Sequence, residues 1–224
     1  MLEGKNKDFI GEVLTFWDKL NLQEQNLILN NTNIVNYKQS DNIHSGENDC
    51  VGVLLIKSGE LRTYILSEDG REITLYRLTS GDVCILSASC ILKSITFDVF
   101  IDAEQDSEVL IINSSVFAKI CKDNIYAENF SNQTTAERFS DVMWAMQQIL
   151  FMSFDKRLAI FILDEVNKNS SDSIQMTHEQ IAKYIGSARE VVSRMLKYFE
   201  NEGYVKLFRG GLQVLDKKAL RKII

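Results

Sequence analysis

Residues 177–196 read THEQIAKYIGSAREVVSRML, two short helical patterns on either side of one glycine. Thr177-His178-Glu179-Gln180 has the form of a capping box. The threonine hydroxyl can accept from the amide of residue 180, and Gln180 can reach back to the amide of Thr177. A helix therefore starts at His178, with Ile181, Ala182 and Ile185 on its buried side. Gly186 ends it as a left-handed C-cap residue, and a second helix begins near Ala188. Two short helices around such a turn make a helix-turn-helix.

The second helix has two unlike faces. Val192, Met195, Leu196 and Phe199 stand at i, i+3, i+4 and i+7 and form its buried stripe. At about 100° per residue, Glu190, Ser193, Arg194 and Lys197 fall opposite, with Arg189 on the flank. Glu190 and Arg194, one turn apart, can also brace each other as an i, i+4 pair. Such a face is either a solvated helix surface or a reader of the DNA major groove. Arginine can pair bidentately with guanine, glutamate can accept from cytosine N4, and serine can bond phosphate or base. The capping box beginning at Thr177, the turn glycine and the basic flank favour DNA. After Gly203, YVKLFRGGLQVL reads as two short strands around Arg209-Gly210-Gly211. That is a wing, and Lys206 and Arg209 can reach phosphates from it.

Charge follows the same division. The chain carries 25 Lys and Arg against 31 Asp and Glu, for a net −6. From Gly186 onward there are nine basic residues against four acidic, or +5, which leaves 16 against 27, or −11, on the rest. A basic end on an acidic body permits local attraction to phosphate.

Upstream, three regions follow one another. DFIGEVLTFWDKL and LQEQNLILNN have apolar residues at helical spacing. From about Ile34 to Phe117 the pattern is β: VGVLLIKSGELRTYIL and REITLYRL read as strands joined by a SEDG hairpin turn, and SITFDVFIDAE and SEVLIIN supply more. Many short strands imply a small barrel or sandwich. From about Ile125 to Ser153 runs one long helical pattern, in which Phe139, Met143, Met146 and Leu150 step by four, three and four. That heptad-like seam predicts a helix shared between two subunits. From Phe154, DKRLAIFILDEV predicts an amphipathic helix with Asp155 near its positive end, and NKNSSDS a polar loop.

Other classes fit less well. No run of about 18 uncharged apolar residues occurs, and the N-terminus has no apolar signal core, so no membrane partner and a cytoplasmic location are expected. Only His44 and His178 are available for catalysis, without G-x-S-x-G, P-loop or H-E-x-x-H motifs, so no enzyme is expected.

The chain resembles CRP/FNR-type transcription regulators over nearly its whole length, most specifically in GSAREVVSRML at Gly186–Leu196 and in KSGELRTY with Gly81-Asp82. The resemblance implies an α+β fold. Residues 1–124 would form a double-stranded β-helix (jelly-roll or cupin-like) of the cyclic-nucleotide-binding type, with N-terminal helices. Residues 125–153 would form a dimerisation helix and residues 154–224 a winged helix-turn-helix. It also implies a homodimer on palindromic double-stranded DNA with TGA-containing half-sites, and RNA polymerase as a partner. Arg189, Glu190 and Arg194 match base-reading positions of the cyclic-AMP receptor branch, and Glu190, Ser193 and Arg194 match the E-x-x-S-R pattern of the FNR branch.

The expected effector is not a cyclic nucleotide. Binders in this family carry GE-L after the glycine–aspartate turn and then an Arg-Ser pair, whereas this chain reads GDVCILSASCILKSITF. Leu86 stands where the ribose-binding glutamate would be, and Lys93-Ser94 is a poorer fork for phosphate than arginine. An alternative is a cyclic-nucleotide-responsive or redox- or haem-responsive module of the same fold. Cys84 and Cys90 flank the former cassette and offer thiol redox or, with His44 or Cys50, metal ligation; haem and iron–sulfur binding remain open. The first 49 residues hold no cysteine for an FNR-type cluster. The plainer role for these cysteines is as small buried hydrophobes.

Overall fold

The computed structural model describes residues 4–46, 51–85, 87 and 98–224. These divide into two compact units: Met1–Ile65 with Leu75–Val142, and Leu66–Thr74 with Met143–Ile224.

In the first unit, β1 (Thr32–Tyr37), β8 (Ser107–Ile112), β3 (Val53–Ser58) and β6 (Val83–Cys84) form one four-stranded sheet in that order. A second sheet, in this unit except for Leu66 and the first three residues of β5, has the order β2 (Asn42–Ser45), β7 (Phe100–Ala103), β4 (Glu60–Leu66) and β5 (Glu72–Thr79). β3 shows why the two sheets stack. Its apolar run is buried on both faces, as a central strand requires. Leu54 and Ile56 join Leu61, Leu78, Ile101 and Val109 in one core. Val53 and Leu55 face the other way, into a core shared with Ile10, Leu14, Trp17, Ile28 and Phe117. Gly59 sits at φ +89° between β3 and β4, and a Cβ there would lie 2.6 Å from the Asp106 carbonyl oxygen. The chain therefore turns where the sequence pattern runs on. The SEDG turn forms as expected, with Gly70 N–H donating to Ser67 O at 2.9 Å.

Three local expectations are corrected. The entry segment is not one helix: α1 (Lys5–Val13) stops short of a 3₁₀ turn at Trp17–Lys19. The break lets Leu14, Phe16, Trp17 and Leu20 all enter the core, which one straight helix face cannot do. Phe117 is not in the β region but in α3 (Ser114–Asp123), nucleated by Asn113, whose side chain accepts from the amides of Ser115 and Val116. α2 (Leu22–Asn30) has a complete capping box from Asn21 and Glu24. In the second unit, α5 (Phe154–Asn169) takes in the first half of the NKNSSDS loop, because Ser170 supplies the left-handed cap at φ 48°.

α4 (Ile125–Phe151) is the long helix. Its expected seam lies in the open: Phe139 is 65% exposed, Met143 and Met146 46% each, and Leu150 65%. The second unit packs Leu158, Ile162 and Val166 of α5 against α6 (His178–Ile185), α7 (Arg189–Asn201) and a three-stranded sheet. That sheet has the order β10 (Val205–Phe208), β11 (Gly211–Val214), β9 (Ser173–Ile174), and Leu220 of α8 (Lys217–Ile223) closes the core. The α+β class, with a β-sheet domain, a long helix and a terminal helix-turn-helix, is as the sequence predicts.

Candidate nucleic-acid interface

Each terminus in the helix-turn-helix has an identifiable cause. Thr177 Oγ1 accepts from Gln180 N–H at 3.2 Å, and Gln180 Oε1 accepts from Thr177 N–H at 2.8 Å, completing the capping box. Gly186 ends α6 at φ 61°, ψ 52°, a left-handed conformation that costs a side-chain-bearing residue about 1 kcal/mol. A Cβ there would also approach Ile73 Cγ1 to 3.2 Å. The carbonyls at the helix end are occupied: Ile185 O accepts from Arg157 Nη1 at 2.9 Å, and Gly186 O from Arg71 Nη2. Glu72 pairs with Lys183 at 2.9 Å beside them. The turn is thus held from three sides, which fixes where α7 begins.

α7 enters from Ala188, which has no side chain able to cap. The positive end of the helix is therefore left for another acceptor. Val192, Leu196 and Phe199 are fully buried, so the register of the opposite face is set by the core. On that face Arg189, Glu190, Ser193 and Arg194 line one open depression; Ser193 is half-buried and the other three are exposed. The structure therefore brings together four of the expected residues.

Others stand differently. Among the described residues no ion pair joins Glu190 to Arg194; both side chains are left to the open face, so the expected i, i+4 brace does not form. Lys197 turns to Glu200, with Nζ to Oε2 at 2.7 Å, and Glu200 Oε1 also accepts from Leu207 N–H at 3.0 Å. These bonds, to Lys197 first and then to the backbone, hold the Glu200 carboxyl below its ordinary range. Thr177 is exposed at the start of α6. Lys206 is exposed on β10 and Arg209 at the wing turn, where Gly210 takes φ 84°.

Sequence reasoning missed one feature. His178, Glu179, Arg189 and the wing residues Phe208 and Gly210 enclose a cleft of about 470 Å³. The sequence places Thr177 and Arg189 at the interface separately, and the wing residues Phe208 and Gly210 complete the cleft they share.

In the β-roll, Cys84 is fully buried. Burial pushes the Cys121 thiol up to about 11, partly offset by a hydrogen bond with Ser131. Cys50, Leu86, Cys90 and Lys93-Ser94 lie outside the described residues. Among the described residues no three His, Cys, Asp or Glu side chains are grouped as metal ligands, and no helix is long and apolar enough to cross a membrane.

A double-sheet β-roll, a long helix and a helix-turn-helix followed by a two-stranded wing form the architecture of a DNA-binding regulator with a separate β-sheet domain. Residues 156–223 match the Crp-like helix-turn-helix domain family, and residues 34–124 the cyclic nucleotide-binding domain family. The crystal structure of a protein assigned to the crp/fnr family of transcriptional regulators, from Eubacterium rectale ATCC 33656, is 48% identical. It covers 93% of this chain and 96% of its own, with a TM-score of 0.90. The cyclic AMP receptor protein of Thermus thermophilus is 25% identical over 170 residues, 75% of this chain and 77% of that protein. The c-di-GMP responsive global regulator CLP of Xanthomonas campestris, 14% identical, covers 88% of this chain and 100% of its own at a TM-score of 0.73, a likeness of fold alone. The chain belongs to the CRP/FNR family of transcriptional regulators, a family of DNA-binding proteins and not of enzymes.

Proposed function

We propose that the protein is a homodimeric, cytoplasmic transcription regulator that reads palindromic DNA with TGA-containing half-sites and cooperates with RNA polymerase. Residues 1–124 serve as sensor, 125–153 as dimerisation helix and 154–224 as DNA-binding domain. The carrying observation is the open face of α7, where Arg189, Glu190, Ser193 and Arg194 line one depression while the opposite face is sealed in the core. Arg194 donates to guanine, Glu190 accepts from cytosine, and Arg189 and Ser193 reach base or phosphate. Thr177, Lys206 and Arg209 hold the DNA backbone, and Lys197 adds positive charge to the extent that Glu200 shares it. Fluorescence anisotropy with a TGA-containing palindrome and a scrambled duplex tests this. Tightening of about 10³-fold or more on the palindrome is expected, and equal affinity for both sinks the assignment.

The effector is proposed to be something other than a cyclic nucleotide. No arginine occurs between Arg77 and Arg138. The three arginines of the first unit already face carboxylates: Arg62 Nε meets Glu104 at 2.9 Å, Arg77 meets Glu60 at 3.4 Å, and Arg138 meets Asp141 at 2.8 Å, while Arg71, in the second unit, donates to Gly186 O. Diverting one of them to a cyclic phosphate would leave a partly buried carboxylate without its cation. Calorimetric titration with cyclic AMP and cyclic GMP is expected to give no heat of binding. Micromolar affinity for either would overturn this assignment while leaving the DNA interface standing.

A further inference from the structure

The cleft beside the recognition helix contains a titratable group that base and phosphate reading leave unused. His178 is the first residue of α6, half-buried, and lines the cleft with Thr177, Glu179, Arg189, Phe208 and Gly210. The chain has two histidines, and the other, His44, is 2% exposed within the β-roll. Any titration near neutral pH at the DNA-facing surface therefore belongs to His178.

The charged neighbours define its behaviour. From α7 comes Arg189, from its own helix Glu179, and the wing contributes Phe208, Gly210 and Gly211, which carry no charge; Arg209 stands between them, exposed, at the wing tip. Burial, and then repulsion from Arg189, hold the imidazole below its ordinary value. The unbound protein accordingly keeps His178 neutral at pH 7, since the ordinary value is about 6.5. An anion in the cleft reverses the balance. It offsets the Arg189 field, accepts a hydrogen bond and favours the imidazolium.

We infer that, given the DNA interface proposed above, a backbone phosphate seats in this cleft and His178 takes up a proton as it does, so that acid strengthens DNA binding. The sign follows from linkage. The bound form holds the proton to higher pH than the free form, so affinity is constant above the bound pKa and rises as pH falls between the two values. It levels off again below the free pKa. The slope of log affinity against pH lies between 0 and about −1 for each recognition helix. Every unit of separation is worth about tenfold per half-site.

The test is anisotropy of full-length protein with the TGA-containing palindrome at fixed ionic strength, stepped from about pH 8 to about pH 6, the range in which histidine is the side chain that ordinarily titrates. The wild type is expected to tighten by about tenfold per half-site over this range. His178→Gln is expected to be flat and to match the weak, high-pH wild type. His178→Arg, with a permanent charge, is expected to be flat and tight. Calorimetry of wild type in two buffers of different ionisation enthalpy should read uptake of up to about one proton per half-site. A flat wild type overturns the inference, as does a slope that survives in His178→Gln; in either case duplex binding itself leaves the interface standing. Absence of duplex binding at every pH removes the interface and this inference together.

Discussion

Replacing Arg194 with alanine is expected to cost about 1–3 kcal/mol per half-site on the TGA-containing palindrome and little on random duplex. The asymmetry arises because a guanidinium paired with guanine O6 and N7 discriminates between bases, whereas a phosphate contact does not. Arg194 is exposed on α7 and the stripe behind it is buried, so the substitution removes a contact without opening the core. Lys206→Ala or Arg209→Ala in the wing should instead weaken every duplex alike and reduce the salt slope by about one per lost phosphate contact. The measurement is the affinity of each variant for both duplexes across a salt series. Equal losses on specific and random DNA for Arg194→Ala would place it on the backbone and refute the base-reading assignment.

Much of this interface was legible because its causes are local. The capping box lies within four residues of chain, Thr177 to Gln180, and the left-handed cap needs one glycine at residue 186. The wing was legible for the same reason, since Arg209-Gly210-Gly211 marks a tight turn between two short apolar runs. β9 was not legible. It has two residues, Ser173 and Ile174, and exists only because Gln213 and Leu212 present a partner edge. The missing Glu190–Arg194 brace has a different origin. Spacing permits such a pair, but exposed partners gain only about 0.3–0.5 kcal/mol from it, too little to hold two long side chains together. Lys197 and Glu200 do pair, three residues apart, because the Leu207 amide also fixes the glutamate. Nor does periodicity disclose the His178 cleft, whose far wall lies about thirty residues downstream in Phe208 and Gly210.

Met146→Asp is expected to turn the protein from a dimer into a folded monomer and to lower its affinity for palindromic DNA by about 10²-fold or more. α4 spans 27 residues, so it is about 40 Å long, and it buries only Ala127 and Thr134 within its own chain. Phe139, Met143, Met146 and Leu150 recur along it at four, three and four residues and all remain exposed. An apolar seam of that period is what a second copy of the same helix covers. Because the a and d residues of two parallel paired helices meet their own mates across the axis, one substitution sets two carboxylates in a single desolvated seam. The monomer fold is spared, since Met146 is 46% exposed there and takes no part in any of the three buried cores. The loss on DNA follows from geometry. Two recognition helices held about 34 Å apart engage both half-sites as one event, whereas separated chains must bind each half-site independently. Sedimentation should therefore show 25.6 kDa in place of twice that mass. A variant that still sediments as a dimer and binds the palindrome normally would mean that the seam on α4 is not the interface.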